Sequence, residues 1–282
     1  MIKLKHIILL ITTILSYHGF SQSENLVQPE KFTAHNKGKF YVFWGGNRDS
    51  FSKSDIRFKG DNYDFTLYEV KAEDRPKGWH IDYINPTRMT IPQTNFRIGY
   101  FITDKYNISF GLDHMKYVMS NDRTVRYSGN YPDRGSFGEN ISDGNILLTE
   151  DFLLFEHTDG LNYVNVEFSR VDDFSKYLSI QNTDKIQINI TEGVGVGLLY
   201  PKTNTTLMKK ERHDDFHVSG FGFSAKVGLN ITFFKYFFIQ TELKAGYINM
   251  GNVRTTNSRS DKASHDFYFT ETVFAIGGIF RI

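Results

Sequence analysis

The chain has 282 residues with 33 lysines and arginines against 32 acids, a net charge of +1, so no charge surplus points to nucleic acid. It contains no cysteine, which excludes disulfides and a cysteine-borne lipid anchor. Aromatic residues reach 16% and glycines number 23, a composition suited to a strand wall with an oily outside and a crowded inside.

Residues 1–21 begin with Lys3 and Lys5, continue through an apolar run from Ile7 to Leu15 and end near small Gly19 and Ser21. That is the layout of a cleaved secretory signal peptide, too short in its apolar part to span a membrane. Residues 22–37 read as a polar linker and 38–282 as the folded domain. No later run approaches the roughly 18 apolar residues that a membrane helix needs.

Strands show themselves by period-two alternation. Gly38 to Arg48 sets Phe40, Val42 and Trp44 against Tyr41, Phe43, Gly45 and Asn47. A polar segment, Asp49 to Gln93, holds strand-like pieces at Asp55–Lys59 and Tyr63–Ala72 and reads as a loop built of hairpins. Thr94 to Thr103 and Asn107 to Met119 alternate cleanly around a tight turn. Ser120 to Gly160 is a second long segment, with an apolar piece from Ile146 (ILLTEDFLLF) that fits a short helix, an extra strand or a loop hairpin. Further strands cover Leu161–Val171 and Lys185–Leu199. The clearest signal is the hairpin from Phe216 to Tyr247, whose arms present Phe221, Phe223, Val227 and Leu229, then Phe237, Ile239 and Leu243, opposite glycines and charges. The last strand is Asp266 to Ile282. The arms exceed ordinary globular strands and match the roughly ten tilted residues that cross a bilayer.

The pattern predicts an all-β, antiparallel up-and-down transmembrane barrel of eight strands, or ten if Tyr63–Ala72 and Ile146–Glu156 also span. Connections alternate long and short, as extracellular loops and periplasmic turns do in outer-membrane barrels. With Phe274, Ile276 and Phe280 near its end, the chain resembles small outer-membrane barrels of OmpA/OmpX type. In its Lys/Ile-rich signal and its Tyr/Asn-rich loops it is similar to Bacteroidota outer-membrane barrel proteins. The resemblance implies a place in the cell outer membrane, with lipid and lipopolysaccharide as surroundings and a possible protein partner at the loops. It brings no cofactor and no activity.

Inward positions carry Arg97, Asp113, Glu167, Lys226, Glu242, Lys244 and Glu271, expected as a packed polar network because buried charges need partners. The alternative is an ion or solute pore gated by the same groups. His157, His213, His217 and His265 fall in or beside predicted loops with acidic neighbours, a ligand set suited to zinc but without an established spacing. His217 and Ser219 resemble the His-x-Ser pair of outer-membrane lipid A deacylases, a lipid hydrolase alternative, although Gly220 replaces the asparagine that follows there. A histidine base needs a carboxylate to orient it. If Tyr200 pairs with Phe216, Glu192 lies opposite Ser224, about seven residues or roughly 23 Å from His217, too far for a triad.

Overall fold

A computed structural model describes residues 35–78, 80, 82, 92–130, 141–142, 144–210 and 216–282. The expected signal peptide, most of the linker and His213 lie outside them. The described strands are β1 (Phe40–Phe51), β2 (Ser54–Lys59), β3 (Asp64–Val70), β4 (Ala72–Glu73), β5 (Thr94–Phe101), β6 (Tyr106–Met119), β7 (Arg123–Asn130) and β8 (Ile141–Ser142). They continue with β9 (Asn145–Leu148), β10 (Leu153–Asp173), β11 (Ile186–Leu199), β12 (Asn204–Leu207), β13 (Gly220–Phe233), β14 (Phe237–Arg254) and β15 (Lys262–Phe280).

Eight of these, β1, β5, β6, β10, β11, β13, β14 and β15, pair antiparallel in that order, and β15 returns to β1. The sheet is a closed barrel. Each row of paired residues spirals around the wall. One row leaves β1 at Ser50, passes Thr270, Ala245, Ala225, Val194, Phe168, Ile108 and Tyr100, and re-enters β1 at Phe40, ten residues along. A stagger of that size tilts the strands by about 35–45° and leaves a lumen just wide enough for side chains.

Alternation decides what each face meets. Phe110, Val166, Val194, Val196, Phe223, Val227, Leu243, Phe274 and Ile276 are exposed on the outside, while Asn95, Arg97, Asp113, Asn165, Glu167, Lys226 and Glu242 are buried inside. This is the inverse of a water-soluble barrel and the surface of one that crosses a membrane. Aromatic rings edge the apolar belt: Tyr247 meets Tyr268 at one rim, and Phe40 meets Tyr100 and Phe280 at the other. No described helix is long and apolar enough to cross a membrane, and the crossing is made by strands.

At the rim marked by Tyr268 the wall continues outward. β15 runs on to pair with β2, which leads through β3 and β7 to β9, while β12 pairs with the early part of β10. The segment after β1 is thus built of hairpins. β3 and β9 lie in this extension and not in the ring, so the ten-stranded alternative is not adopted. The open question at Ile146 resolves into β9, a turn in which the Phe152 and Leu153 amides donate to the Thr149 carbonyl, and the start of β10. The fourth wall strand therefore begins at Leu153, eight residues before the expected Leu161, because Leu153 and Phe155 bury against the extension. The sixth begins at Gly220 rather than Phe216. Phe216 instead stacks on Tyr200, with ring centroids 5.5 Å apart.

Two apolar clusters fill the interior away from mid-belt. The smaller, at the rim of short turns, holds Tyr41, Phe43, Phe101, Phe238, Val273 and Ala275. The larger lies at the opposite end and includes Phe58, Phe65, Tyr117, Phe152, Phe155, Tyr163, Phe267 and Phe269. In the smaller cluster Tyr41 sits opposite Gly99, and its hydroxyl donates to Asn107 Oδ1 at 2.9 Å. A Cβ on Gly99 would run into that ring. Gly99→Val is expected to lower barrel stability by about 1–3 kcal/mol, read as a lowered urea midpoint for unfolding from lipid vesicles.

Candidate functional site

Around mid-belt the seven inward charges meet. Arg97, from β5, places Nη2 at 3.0 Å from Glu167 and 3.4 Å from Asp113. Lys226, from β13, lies 2.7 Å from Glu167 and 2.6 Å from Glu242. Lys244, from β14, lies 2.6 Å from Asp113, 2.9 Å from Glu167 and 3.5 Å from Glu271. Neighbouring strands bring these groups together because every one occupies an inward position of its own strand. Three cations face four carboxylates, all at 4% side-chain exposure or less.

Amides complete the network, and alternation alone did not single them out as members. Asn95 donates to both Asp113 and Glu271 at 2.8 Å. Asn165 donates to Asp113 at 2.9 Å and accepts from Arg97 at 2.9 Å. Gln240 donates to Glu242 at 2.6 Å. Glu167 meets its cations off the hydrogen-bonding directions, so it is held chiefly by charge. Toward the short-turn rim lies a cavity of about 50 Å³ lined by Gln187, Asn189, Thr191, Asn230 and Gln240. Toward the other rim the large apolar cluster closes over Tyr163 and Phe269.

The histidines are not where a loop reading put them. His157 and His265 lie on β10 and β15, fully buried beyond the belt, where the outward positions of β15 have turned to Lys262, Ser264 and Asp266. Their ring centroids are 5.6 Å apart, within a cage of Phe51, Tyr117, Phe155 and Phe267. His157 Nδ1 bonds Thr203 Oγ1 at 2.8 Å. Its Nε2 and both His265 nitrogens find no hydrogen-bond partner among the described residues. Burial, reinforced by the neighbouring imidazoles of His265 and His217, holds His157 well below the usual histidine range, and burial brings His265 down to about 3. Both rings are neutral at pH 7 and behave as aromatic filler. Among the described residues no three histidine, aspartate or glutamate side chains gather as a metal site.

His217 and Ser219 do meet, with Nε2 3.0 Å from Oγ. The same Nε2 lies 2.8 Å from the Asn252 carbonyl oxygen, which can only accept. The Arg254 backbone N–H also donates to Nε2 at 3.4 Å, so three groups share the one nitrogen a base would use on the serine. Ser219 is buried, and Glu192 pairs with Val227 rather than Ser224, ten positions from His217. At about 3.3 Å per residue that distance excludes Glu192 as the orienting carboxylate. The expected register slipped because the chain joins β13 only at Gly220, opposite Leu199.

The arrangement defines a membrane-spanning β-barrel whose lumen is occupied by its own ion pairs. No family model matches the chain, and no curated protein matches it. Among solved structures it is similar to outer membrane protein OprG from Pseudomonas aeruginosa, with 10% identity over 88% of this chain and 98% of that one and a TM-score of 0.35. It is also similar to Ail, the attachment invasion locus protein of Yersinia pestis, with 11% identity, 85% and 99% coverage and a TM-score of 0.29. A third is the outer membrane protease OmpT from Escherichia coli, with 10% identity, 89% and 99% coverage and a TM-score of 0.33. Superpositions this loose leave the barrel to be argued from its own geometry.

Two outcomes follow. Lys244→Met takes from Glu271 its cation and leaves Asp113 with Arg97 at 3.4 Å, and is expected to cost about 3–5 kcal/mol in vesicle-based urea unfolding. For the histidines, an unfolded chain takes up protons near pH 6.5 that folded His265 refuses until about 3. The stabilisation is complete above pH 6.5 and falls by about 1.4 kcal/mol per pH unit in acid. His265→Phe should flatten that slope, measured by amide exchange in the extension between pH 7 and 4.

Proposed function

We propose that this is a non-enzymatic outer-membrane protein, delivered by a cleaved signal peptide, that holds a folded extracellular platform above a closed barrel for adhesive, structural or complex-forming roles. One observation carries the reading: the lumen is filled by paired charges at mid-belt, while the largest apolar core lies beyond the belt on the side of the long connections. The bilayer part then serves as an anchor, and the built-up part as the working surface. Short turns at the other rim, 102–105 and 234–236, fit a periplasmic side. The sequence style supports a host of the Bacteroidota kind, with lipid and lipopolysaccharide around the belt.

The extension offers contact chemistry suited to a protein partner. Tyr68 hydrogen-bonds Ser128 at 2.7 Å and carries Arg126 over its ring at 4.2 Å. Aromatic and arginine side chains held this way give contact area at low entropic cost. A lipid hydrolase is the weaker reading, since Ser219 is buried and Glu192 lies too far from His217 to orient it. A conducting pore requires a path through the ion pairs.

Topology and closure are both testable because the chain has no cysteine of its own. In intact cells Glu69→Cys is expected to react with a membrane-impermeant maleimide, and Lys105→Cys only after the outer membrane is opened. Planar bilayers containing the purified protein should show no steady current, and lipid A acyl patterns should be the same with and without it. Reversed labelling, sustained conductance or a missing acyl chain would each defeat the corresponding part of the proposal.

A further inference from the structure

We infer that the outer face of β1, β5, β6 and β10 binds one anionic, phosphate-bearing lipid of the outer leaflet, with an acyl chain in a groove of the wall and the headgroup on Lys116 and Lys202. The inference rests on the outer-membrane reading and narrows its lipid surroundings to a single site. The groove measures about 300 Å³ and is lined by Trp44, Phe96, Leu112 and Val164, and at its upper end by Asn162 and Tyr200. The first four are successive cross-strand partners on the outward face. The groove does not lie level. The paired row that leaves β1 at Phe40 through Tyr100, Ile108 and Phe168 returns to β1 at Ser50, so rows climb in the order β1, β5, β6, β10, β11. The groove therefore rises from Trp44, on the belt, to Tyr200, just beyond the end of β11. Four strand spacings cover roughly 19 Å, enough to follow an acyl chain through half of the hydrocarbon core, about 15 Å.

Polar groups at the upper end are tied to one another, which leaves the groove itself apolar. His114 Nδ1 lies 2.7 Å from Asn162 Oδ1, and Asn162 Nδ2 donates to the Tyr200 carbonyl at 3.0 Å. Two residues further along stand cations, Lys116 beyond His114 and Lys202 beyond Tyr200, about 5 Å higher at a barrel tilt. The Lys202 amide donates to the Gly160 carbonyl at 3.1 Å, and its Nζ lies 3.6 Å from Asp159 and 6.0 Å over the Phe216 ring that stacks on Tyr200. Asp159 also acts on Lys116, as do Arg75 and Lys77. The acids paired with those two, Glu156 and Asp82, are buried, and Asp74 is held by Gln93 and the Asp49 amide. Arg48 is exposed on the outward face of β1. The patch thus turns its positive ends outward at headgroup height.

Charge selects the occupant. Apolar contact alone distinguishes nothing here, because every lipid tail is as apolar as the groove. Lysines and arginines gathered at a membrane surface attract anionic lipid, whereas a zwitterionic headgroup brings them no net charge. The rim is uneven in this respect. On the opposite wall it carries Tyr247, Tyr268, Asn249 and Asp266, with no cation among them. A free phosphate would meet the lysines but leave the groove to any passing tail. An anionic lipid uses both.

The groove carries its own reporter. The chain has 2 tryptophans, Trp44 and Trp79, so Trp79→Phe leaves the groove residue as the fluorophore, and a lipid brominated on its acyl chain quenches it on contact. In phosphatidylcholine vesicles, brominated phosphatidylglycerol is expected to quench Trp44 at about one tenth the fraction that brominated phosphatidylcholine requires. A reporter on the opposite wall, Phe274→Trp combined with Trp44→Phe and Trp79→Phe, should show no such preference. Lys116→Glu with Lys202→Glu should abolish the preference at Trp44, and added inorganic phosphate should not relieve the quenching. Heat-dependent gel mobility confirms that each variant is folded. Equal quenching by the two lipids at Trp44, the same preference at the Phe274→Trp reporter, indifference to the charge at 116 and 202, or release by inorganic phosphate overturns the inference and leaves the membrane reading intact. Failure to insert in vesicles overturns both.

Discussion

In hydrocarbon no water is available to a peptide group, so a strand wall must close on itself, and every other feature of this molecule answers to that closure. The seam is the pairing of β1 with β15 from Phe40 opposite Phe280 to Phe51 opposite Phe269. With eight strands and a ten-residue stagger, closure fixes a lumen too narrow for a water column yet too wide to leave empty. Side chains have to fill it. Because successive residues point to opposite faces, the same alternation that turns Phe110, Val194 and Phe274 to lipid turns Gly111, Gly193 and Val273 inward.

The position of the apolar core follows from what lies outside the wall at each height. Within the belt an apolar side chain is as well solvated by lipid as by protein, so little is gained by turning it in. The interior is left to polar groups, which tolerate burial only when paired. Beyond the rim the outside is water, and the hydrophobic effect again favours burial. β15 records the change within one strand. Phe274 and Ile276 are exposed below the rim, whereas Phe267 and Phe269 are buried at and above it, beside Asp266 and Tyr268 on the outside.

This division also explains what was legible in the sequence. Strand identity and facing direction could be read wherever one face was apolar and the other polar, as in Phe221 to Ile231 or Phe96 to Ile102. Above the rim the rule inverts and strand ends become ambiguous, which is why the start of β10 at Leu153 was hidden inside ILLTEDFLLF. The histidines went astray for the same reason. His157 and His265 stand among acids and hydroxyls in sequence, as loop residues do, but strand pairing turns their rings into an aromatic cage. Alternation placed all seven lumen charges on inward positions. It could not show that Asn95 and Asn165 bridge them, because hydrogen bonding across several strands depends on stagger, and stagger depends on where pairing begins. A start four residues early, at Phe216 instead of Gly220, was enough to misplace Glu192.

Two glutamates on adjacent strands show how far facing direction decides a residue's role. Glu167 and Glu192 belong to the same hydrogen-bonded pair of strands and are chemically identical. Glu167 points inward and is met by Arg97, Lys226 and Lys244 at 3.0 Å or less. Glu192 points outward and is met by one arginine at 3.8 Å that already holds Asp172. Burial demands three cations around Glu167, whereas Glu192 is joined through Arg170 and Asp172 to exposed Lys105 in the short turn and needs no such cluster.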